Sequence, residues 1–409
     1  MKINKRTFIY NLMCILAAVN ALCGMHVVYV NMRYSDVGYL LALALDIITA
    51  GVMLGYIFIY KRRFSISKRK LFMLSIMLIF YTYTGLNYVS ESGITLRTFL
   101  ALLKIMSLFF LEEDETVNIL NIFTKIFAAI LLPCVIITIL KNLGVQLPYS
   151  MIKPTGDGEI YHTYYNYFGC LILYEDSLYW RLCGIFNEPG VVGTISGLLL
   201  CKERFKLKGK WYNVVLALAG VFSFSTAFFI LIIIYFVIEK MFMRLSIKKI
   251  VFSILTIVVV LLADQALCNI SVEYKQFAHD KIVRFVTTGQ SNRTRADFDL
   301  AYSELWESGD VFLGRGEGSR ANYQVLSYKG VIYDYGIVGM FIFILMIIGI
   351  YRSVNWKNSY TRLYFLIYVI SLYQRPYTLA FFPILILYGG LIYTGKLETG
   401  KSELIEKKE

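Results

Sequence analysis

Apolar residues fall in runs of spanning length at about 7–25, 36–60, 71–89, 94–111, 118–140, 185–201, 211–240, 249–267, 331–351, 362–375 and 377–394. Two polar stretches interrupt them, Lys141 to Arg181 and the longer Leu267 to Gly330. In the longer one, Phe298, Ala301, Tyr302, Leu305 and Trp306 recur at helical spacing and Ser308-Gly309 supplies a stop. That predicts an amphipathic helix over 293–306, resting on the membrane surface or capping a bundle. The pattern as a whole predicts an all-α polytopic integral membrane protein: a single membrane domain over 1–409, with 141–181 and 267–330 as its loops. The first run follows Lys2, Lys5 and Arg6 but ends without a small-residue cleavage site, so it reads as a retained helix. No internal repeat, low-complexity tract or pair of inverted halves is visible.

Charge sets the topology. Lys and Arg cluster at the amino end, in Lys61 to Lys70, in Lys202 to Lys210, in Lys240 to Lys249 and in the carboxyl tail, which the positive-inside rule places in the cytoplasm. Both flanks of 211–240 are thus basic, yet about 30 residues make a single helix of roughly 45 Å, well beyond a bilayer core. The segment must enter and leave on one side. Ser223-Phe224-Ser225-Thr226 sits near its centre, where hydroxyls can satisfy a broken backbone, so two short helices are expected to meet there. The count becomes about twelve spans, within a range of about ten to twelve, with both termini inside and both polar stretches outside. A composition 57% hydrophobic and only 17% charged, a net charge of +13 and a mean hydropathy of +0.60 fit this class. Acidic and basic residues nearly balance in the long loop, which frees its arginines for chemistry.

Candidate chemistry begins at Arg181-Leu-Cys-Gly-Ile-Phe-Asn-Glu188-Pro-Gly, where an arginine and a carboxylate stand at the outer mouth of a span. Pro189 suits the first helical turn and Asn187 is a natural cap. The helix dipole explains a carboxylate at Glu188. The alternative is a general base or hydrogen-bond acceptor at the membrane surface. Arg97 and Lys104 share one face of the fourth run, about 10 Å apart along its axis. They either snorkel to the interface or form a ladder of cations for a lipid diphosphate.

In the long loop, Arg284, Arg293, Arg295, Arg315 and Arg320 are candidate diphosphate clamps, or partners of Asp280, Asp297, Asp299 and Glu304. Arg295 and Asp299, at i and i+4, look like such a structural pair. Gly314-Arg-Gly-Glu-Gly318 is a turn whose glycines let amides approach an anion, and it lacks the context of a nucleotide-binding loop. Asp297-Phe-Asp299 would point its carboxylates about 200° apart on a helix, and His26, His162 and His279 form no ligand pattern, so no metal is expected. His279, beside Asp280, is either an acid–base residue or a surface histidine. The seven cysteines carry no metal spacing, and Cys170 with Cys183 could pair, although packed free thiols are the usual state.

Taken in order, Arg181 to Gly190, the Ser223-Phe-Ser225 break, the Arg293 to Gly318 loop and Tyr333-Asp-Tyr-Gly336-Ile-Val-Gly339 resemble the Wzy-type O-antigen and capsular polysaccharide polymerases, in the group that also holds the O-antigen ligases. The resemblance implies a fold like that of polyprenyl-phosphate-sugar (GT-C type) glycosyltransferases. It implies an enzyme at the outer face of the bacterial cytoplasmic (inner) membrane that joins oligosaccharide repeat units without metal or other cofactor. Donor and acceptor are undecaprenyl-diphosphate-linked oligosaccharides, with membrane lipid and a chain-length regulator protein as further partners and no nucleic acid.

By the same resemblance Arg293 and Arg295 match arginines early in the large loop, Arg181 with Glu188 matches the first-loop pattern, and Glu188 is the leading base. Two alternatives stay open. A ligase would carry a His-Asn-like pair where this chain has Val325-Leu326, and a lipid-linked oligosaccharide flippase would carry charges along a central pathway.

Overall fold

The structure, a computed structural model, describes residues 5–31, 36–60, 67–86, 96–152, 163–175, 179–242, 296–319, 327–354, 357–378 and 380–397, with single positions at 265, 269, 323 and 325. Apart from those single positions, the run 249–267 and the start of the long loop lie outside the described residues. Helix dominates: α1 Lys5–Cys23, α2 Val28–Asn31, α3 Asp36–Tyr60, α4 Lys68–Leu86, α5 Leu96–Phe110 and α6 Glu113–Asn142 come first. Then follow α7 Pro189–Lys202, α8 Trp211–Phe222, α9 Thr226–Phe242, α10 Ala296–Glu307, α11 Tyr328–Ser353, α12 Ser359–Leu372 and α13 Phe381–Leu397.

Among the described residues four helices are long and apolar enough to cross a membrane, Lys5–Cys23, Leu40–Tyr60, Glu113–Asn142 and Tyr328–Ser353; α7, α8, α9 and α13 are shorter and apolar. The outer surface is itself apolar. On α3, Leu40, Leu41, Phe58 and Ile59 are each more than 60% exposed, as expected where the solvent is lipid and not water.

The central element is α6, which packs against α1, α8 and α13. Its start is fastened by Glu115, which accepts the Glu112 amide at 2.7 Å and the Tyr56 hydroxyl at 2.6 Å. At its far end the chain does what the sequence pattern did not indicate. The stretch read as a plain outer loop over 141–181 holds a four-stranded antiparallel meander, β1 Ser150–Ile152, β2 Tyr164–Tyr167, β3 Cys170–Glu175 and β4 Tyr179–Gly184. Tyr167 pairs with Cys170 around Phe168 and Gly169, both with positive φ (54° and 90°), the two-residue turn that matches strand twist. Strands of three to six residues are too short to register as a period, which is why the sheet is invisible in the hydropathy pattern.

The two short helices expected in 211–240 are present as α8 and α9, broken at Ser223-Phe224-Ser225, with Phe224 left-handed at φ 46°. Both pack against α7. The carboxyl end of α9 returns beside the turn after α7, where the rings of Phe205 and Phe236 meet at a tilt with centroids 4.8 Å apart. The segment therefore enters and leaves at one level.

The amphipathic helix of the long loop is α10. It buries Phe298, Ala301 and Leu305 against Val311, Val325 and Tyr333, while Trp306, counted with its apolar stripe, faces out.

Candidate active site

Pro189 occupies the first turn of α7 as expected, and the N-cap is Glu188, not Asn187, with extended backbone at φ −146° and ψ 143°. The Glu188 side chain does not cap its own helix. The dipole account of this carboxylate is therefore incomplete. Arg375, on the short connection between α12 and α13, donates Nη2 to Glu188 Oε2. The Arg375 side chain is 3% exposed and that of Glu188 is 21% exposed, so the guanidinium is interior and the carboxylate reaches outward.

Arg375 also donates Nη1 to Tyr377 Oη at 3.0 Å, and the Tyr377 ring sits 6.1 Å from that of His26. Asn187 is held through its backbone, donating N–H to His26 O at 3.1 Å and accepting at its carbonyl from the Tyr164 hydroxyl. A narrow pocket beside Arg375 is lined by Thr194, Tyr368, Ser371, Tyr377 and Pro383 among others. Thr194 Oγ1 and Asn187 Oδ1 are buried with no hydrogen-bond partner among the described residues. This end of α7 thus offers a carboxylate, a guanidinium, a phenol and two unsatisfied acceptor oxygens, a set suited to holding and deprotonating a hydroxylated ligand.

Arg181 takes a different direction. From β4 it donates Nε to Ser223 O at 3.2 Å and Nη2 to Phe224 O at 3.4 Å, satisfying carbonyls that the end of α8 leaves open. The break also leans on Gly193, where a Cβ would stand 2.4 Å from Ser225 Cβ. The predicted Arg181, hydroxyl-rich break and Glu188 are therefore gathered around the first turns of α7, with Arg181 serving the hairpin and Glu188 meeting Arg375.

The remaining expected site residues lie apart. Arg97 and Lys104 share a face, and both turn to Asp46 of α3. Arg97 Nε is 3.1 Å from Asp46 Oδ2, and Lys104 Nζ contacts Asp46 Oδ1 and, at 2.7 Å, Asn20 Oδ1. Asn20 Nδ2 closes the cluster at 2.8 Å from Asp46 Oδ1.

Arg315 reaches Tyr333 Oη at 3.2 Å and Asp310 at 3.5 Å. In its glycine turn, the amides of Arg315 and Gly316 donate to Tyr333 O and Asp334 O, both at 2.8 Å, so they serve the bent start of α11 and not an anion. That start bends at Gly336, whose φ of 66° and closeness to Phe312 O leave no room for a side chain. Asp299, expected to pair with Arg295, is 3.2 Å from Lys329. Arg284, Arg293, Arg295, Arg320 and His279 lie outside the described residues.

Asp46 and Arg375 are the residues that pattern alone overlooks. Asp46 is a carboxylate in the middle of a 25-residue helix that is otherwise uncharged after its first residue, Asp36, and Arg375 stands where two apolar runs almost touch. Their signal was a charge with too little polar chain around it to reach water. Among the described residues no three His, Cys, Asp or Glu side chains are grouped as metal ligands. No family model, curated protein or solved structure matches this chain.

Proposed function

We propose that the chain is a membrane-embedded glycosyltransferase that polymerises lipid-diphosphate-linked oligosaccharide repeat units at the outer face of the bacterial cytoplasmic membrane. The observation that carries this reading is the Glu188–Arg375 pair: a partly exposed carboxylate at a helix start that bonds to a buried guanidinium and does not cap its own helix. In the proposed reaction Glu188 takes the proton from the attacking hydroxyl of the acceptor sugar. The new bond forms at the anomeric carbon of the donor as its bond to the diphosphate breaks. The leaving diphosphate needs cations, a role the resemblance gives to Arg293 and Arg295, with Arg284, Arg315 and Arg320 as further contacts. The topology in this reading has both termini in the cytoplasm, about twelve spans, and the sheet and long loop outside.

A transporter is the second reading, favoured by the Asp46–Lys104–Arg97 cluster buried between α1, α3 and α5, since charges inside a bundle commonly mark a transport path. A glycan ladder from a strain deleted for the gene separates the possibilities. A single repeat unit left on its carrier or core supports the polymerase. Lipid A core bare of repeat units, with long polymer retained on the lipid carrier, would point to a ligase. Unpolymerised units trapped in the inner leaflet would point to a flippase.

A further inference from the structure

Cys134 and Cys170 lie 36 residues apart in sequence, one on α6 and one at the start of β3, with their sulfurs 2.7 Å apart. A formed disulfide is shorter, about 2.05 Å, whereas non-bonded heavy atoms settle at about 3.5–4.0 Å. Both side chains are buried, at 1% and 5% exposure, so the approach belongs to the packed interior.

The pleat of the sheet decides which cysteines can meet. Cys170 and Leu182 face the helical core with Cys134, whereas Leu171, Leu173 and Cys183 face Val28, Ile152 and Tyr164 on the opposite side. Cys183 is one residue out of phase for a bond to Cys170, so the pairing of Cys170 with Cys183 that the sequence left open is disfavoured.

We propose that Cys134 and Cys170 are joined by a disulfide in the native protein, fastening the sheet to α6. This rests on the placement of the sheet on the outer, oxidising side in the proposed function. Two thiols lose two protons and two electrons, and the oxidant is the disulfide of an exofacial thiol–disulfide oxidoreductase. The Cys170 thiolate attacks that disulfide, giving a mixed disulfide and releasing one thiol. The Cys134 thiolate then attacks the Cys170 sulfur, forming the Cys134–Cys170 bond and releasing the second thiol. Burial requires the exchange to precede the closing of the sheet on α6. The consequence for the site is direct, because β4 carries Arg181 and runs on into Glu188.

The test uses the full-length protein in its native membranes, denatured without reductant and labelled with a maleimide, with peptides carrying each cysteine read by mass spectrometry before and after reduction. Cys134 and Cys170 are expected to be labelled only after reduction, and Cys183 in both samples. In Cys183→Ser the protected pair should persist, while in Cys170→Ser Cys134 should become labelled. Labelling of both Cys134 and Cys170 before reduction overturns the proposal, as does a Cys170–Cys183 linked peptide. In the first case, copper–phenanthroline added to the membranes tells which part failed. If the pair then links, the geometry stands and the outer placement does not; if it stays open, the packing is wrong. Neither result depends on the polymer ladder, so the enzymatic reading is judged separately.

Discussion

Arg375 reaches back across 187 residues to donate to Glu188, so the α12–α13 hairpin is fastened to the start of α7 by one buried guanidinium. Removing one partner from such a pair leaves an uncompensated charge, which typically costs about 3–5 kcal/mol, whereas removing both can be nearly neutral. Glu188→Ala and Arg375→Met are each expected to lower the melting temperature of the purified protein and to abolish polymer. The double variant should recover most of the stability and none of the polymer. A double variant that restored the glycan ladder would show the pair to be structural only.

The Asp46 cluster makes a parallel prediction with a different readout. Lys104 is 3% exposed and depends on Asp46 and Asn20 for its partners. Asp46→Ala is expected to cost about 3–5 kcal/mol by stranding that ammonium, seen as reduced yield of folded protein in detergent. Asp46→Ala with Lys104→Met should return the yield to near wild type. If polymer length is then normal, the cluster is a structural clamp between α1, α3 and α5. If polymer is lost from a stable protein, the cations act on substrate.

The parts of the fold visible in the sequence are those where one physical demand dominates. Apolar length locates α1, α3, α5 and α11 within a few residues, because the lipid-facing side of a helix must be apolar. The basic flanks of 211–240 reveal a hairpin that hydropathy merges into one run. Where several demands compete, the pattern fails. Tyr164-Tyr-Asn-Tyr and Cys170-Leu-Ile-Leu form strands through pairing with each other, a non-local choice that neither segment shows alone. The same holds at the site: Glu188, beside a Pro-Gly helix start, stands out in sequence, whereas Arg375 becomes meaningful only when the hairpin brings it back.

Gly193 tests the link between the hairpin and the site. A methyl group there would meet Ser225 Cβ at 2.4 Å and Ser223 Oγ at 2.8 Å, so the break has to move. Overpacking of this kind costs about 1–3 kcal/mol. Gly193→Ala is expected to lower the melting temperature and reduce polymer by displacing the carbonyls that Arg181 holds. Adding Ser225→Gly, which removes the nearest atom, should restore part of both; no rescue would mean that the break is not what Gly193 accommodates.

At the opposite end of α7, Glu203 lies in the turn leading to α8. It is 3.1 Å from Lys202 Nζ and 2.7 Å from Lys210 Nζ, and accepts the Tyr393 hydroxyl at 2.9 Å. Burial works against its charge, but the two ammonium groups outweigh burial and hold its carboxyl down at about 2, against an ordinary 4.5. A depressed acid contributes stability that is fully present above its unfolded value and is lost as pH falls through the folded one. The difference corresponds to about 3 kcal/mol, so melting temperature should fall as the pH is lowered from about 4.5 toward 2. Glu203→Gln is expected to melt lower at neutral pH, because Lys202 is fully buried and loses its counter-charge. Its melting curve should also be flatter than wild type through the acid range. Parallel acid profiles for the two proteins would mean that other carboxylates carry the acid lability instead.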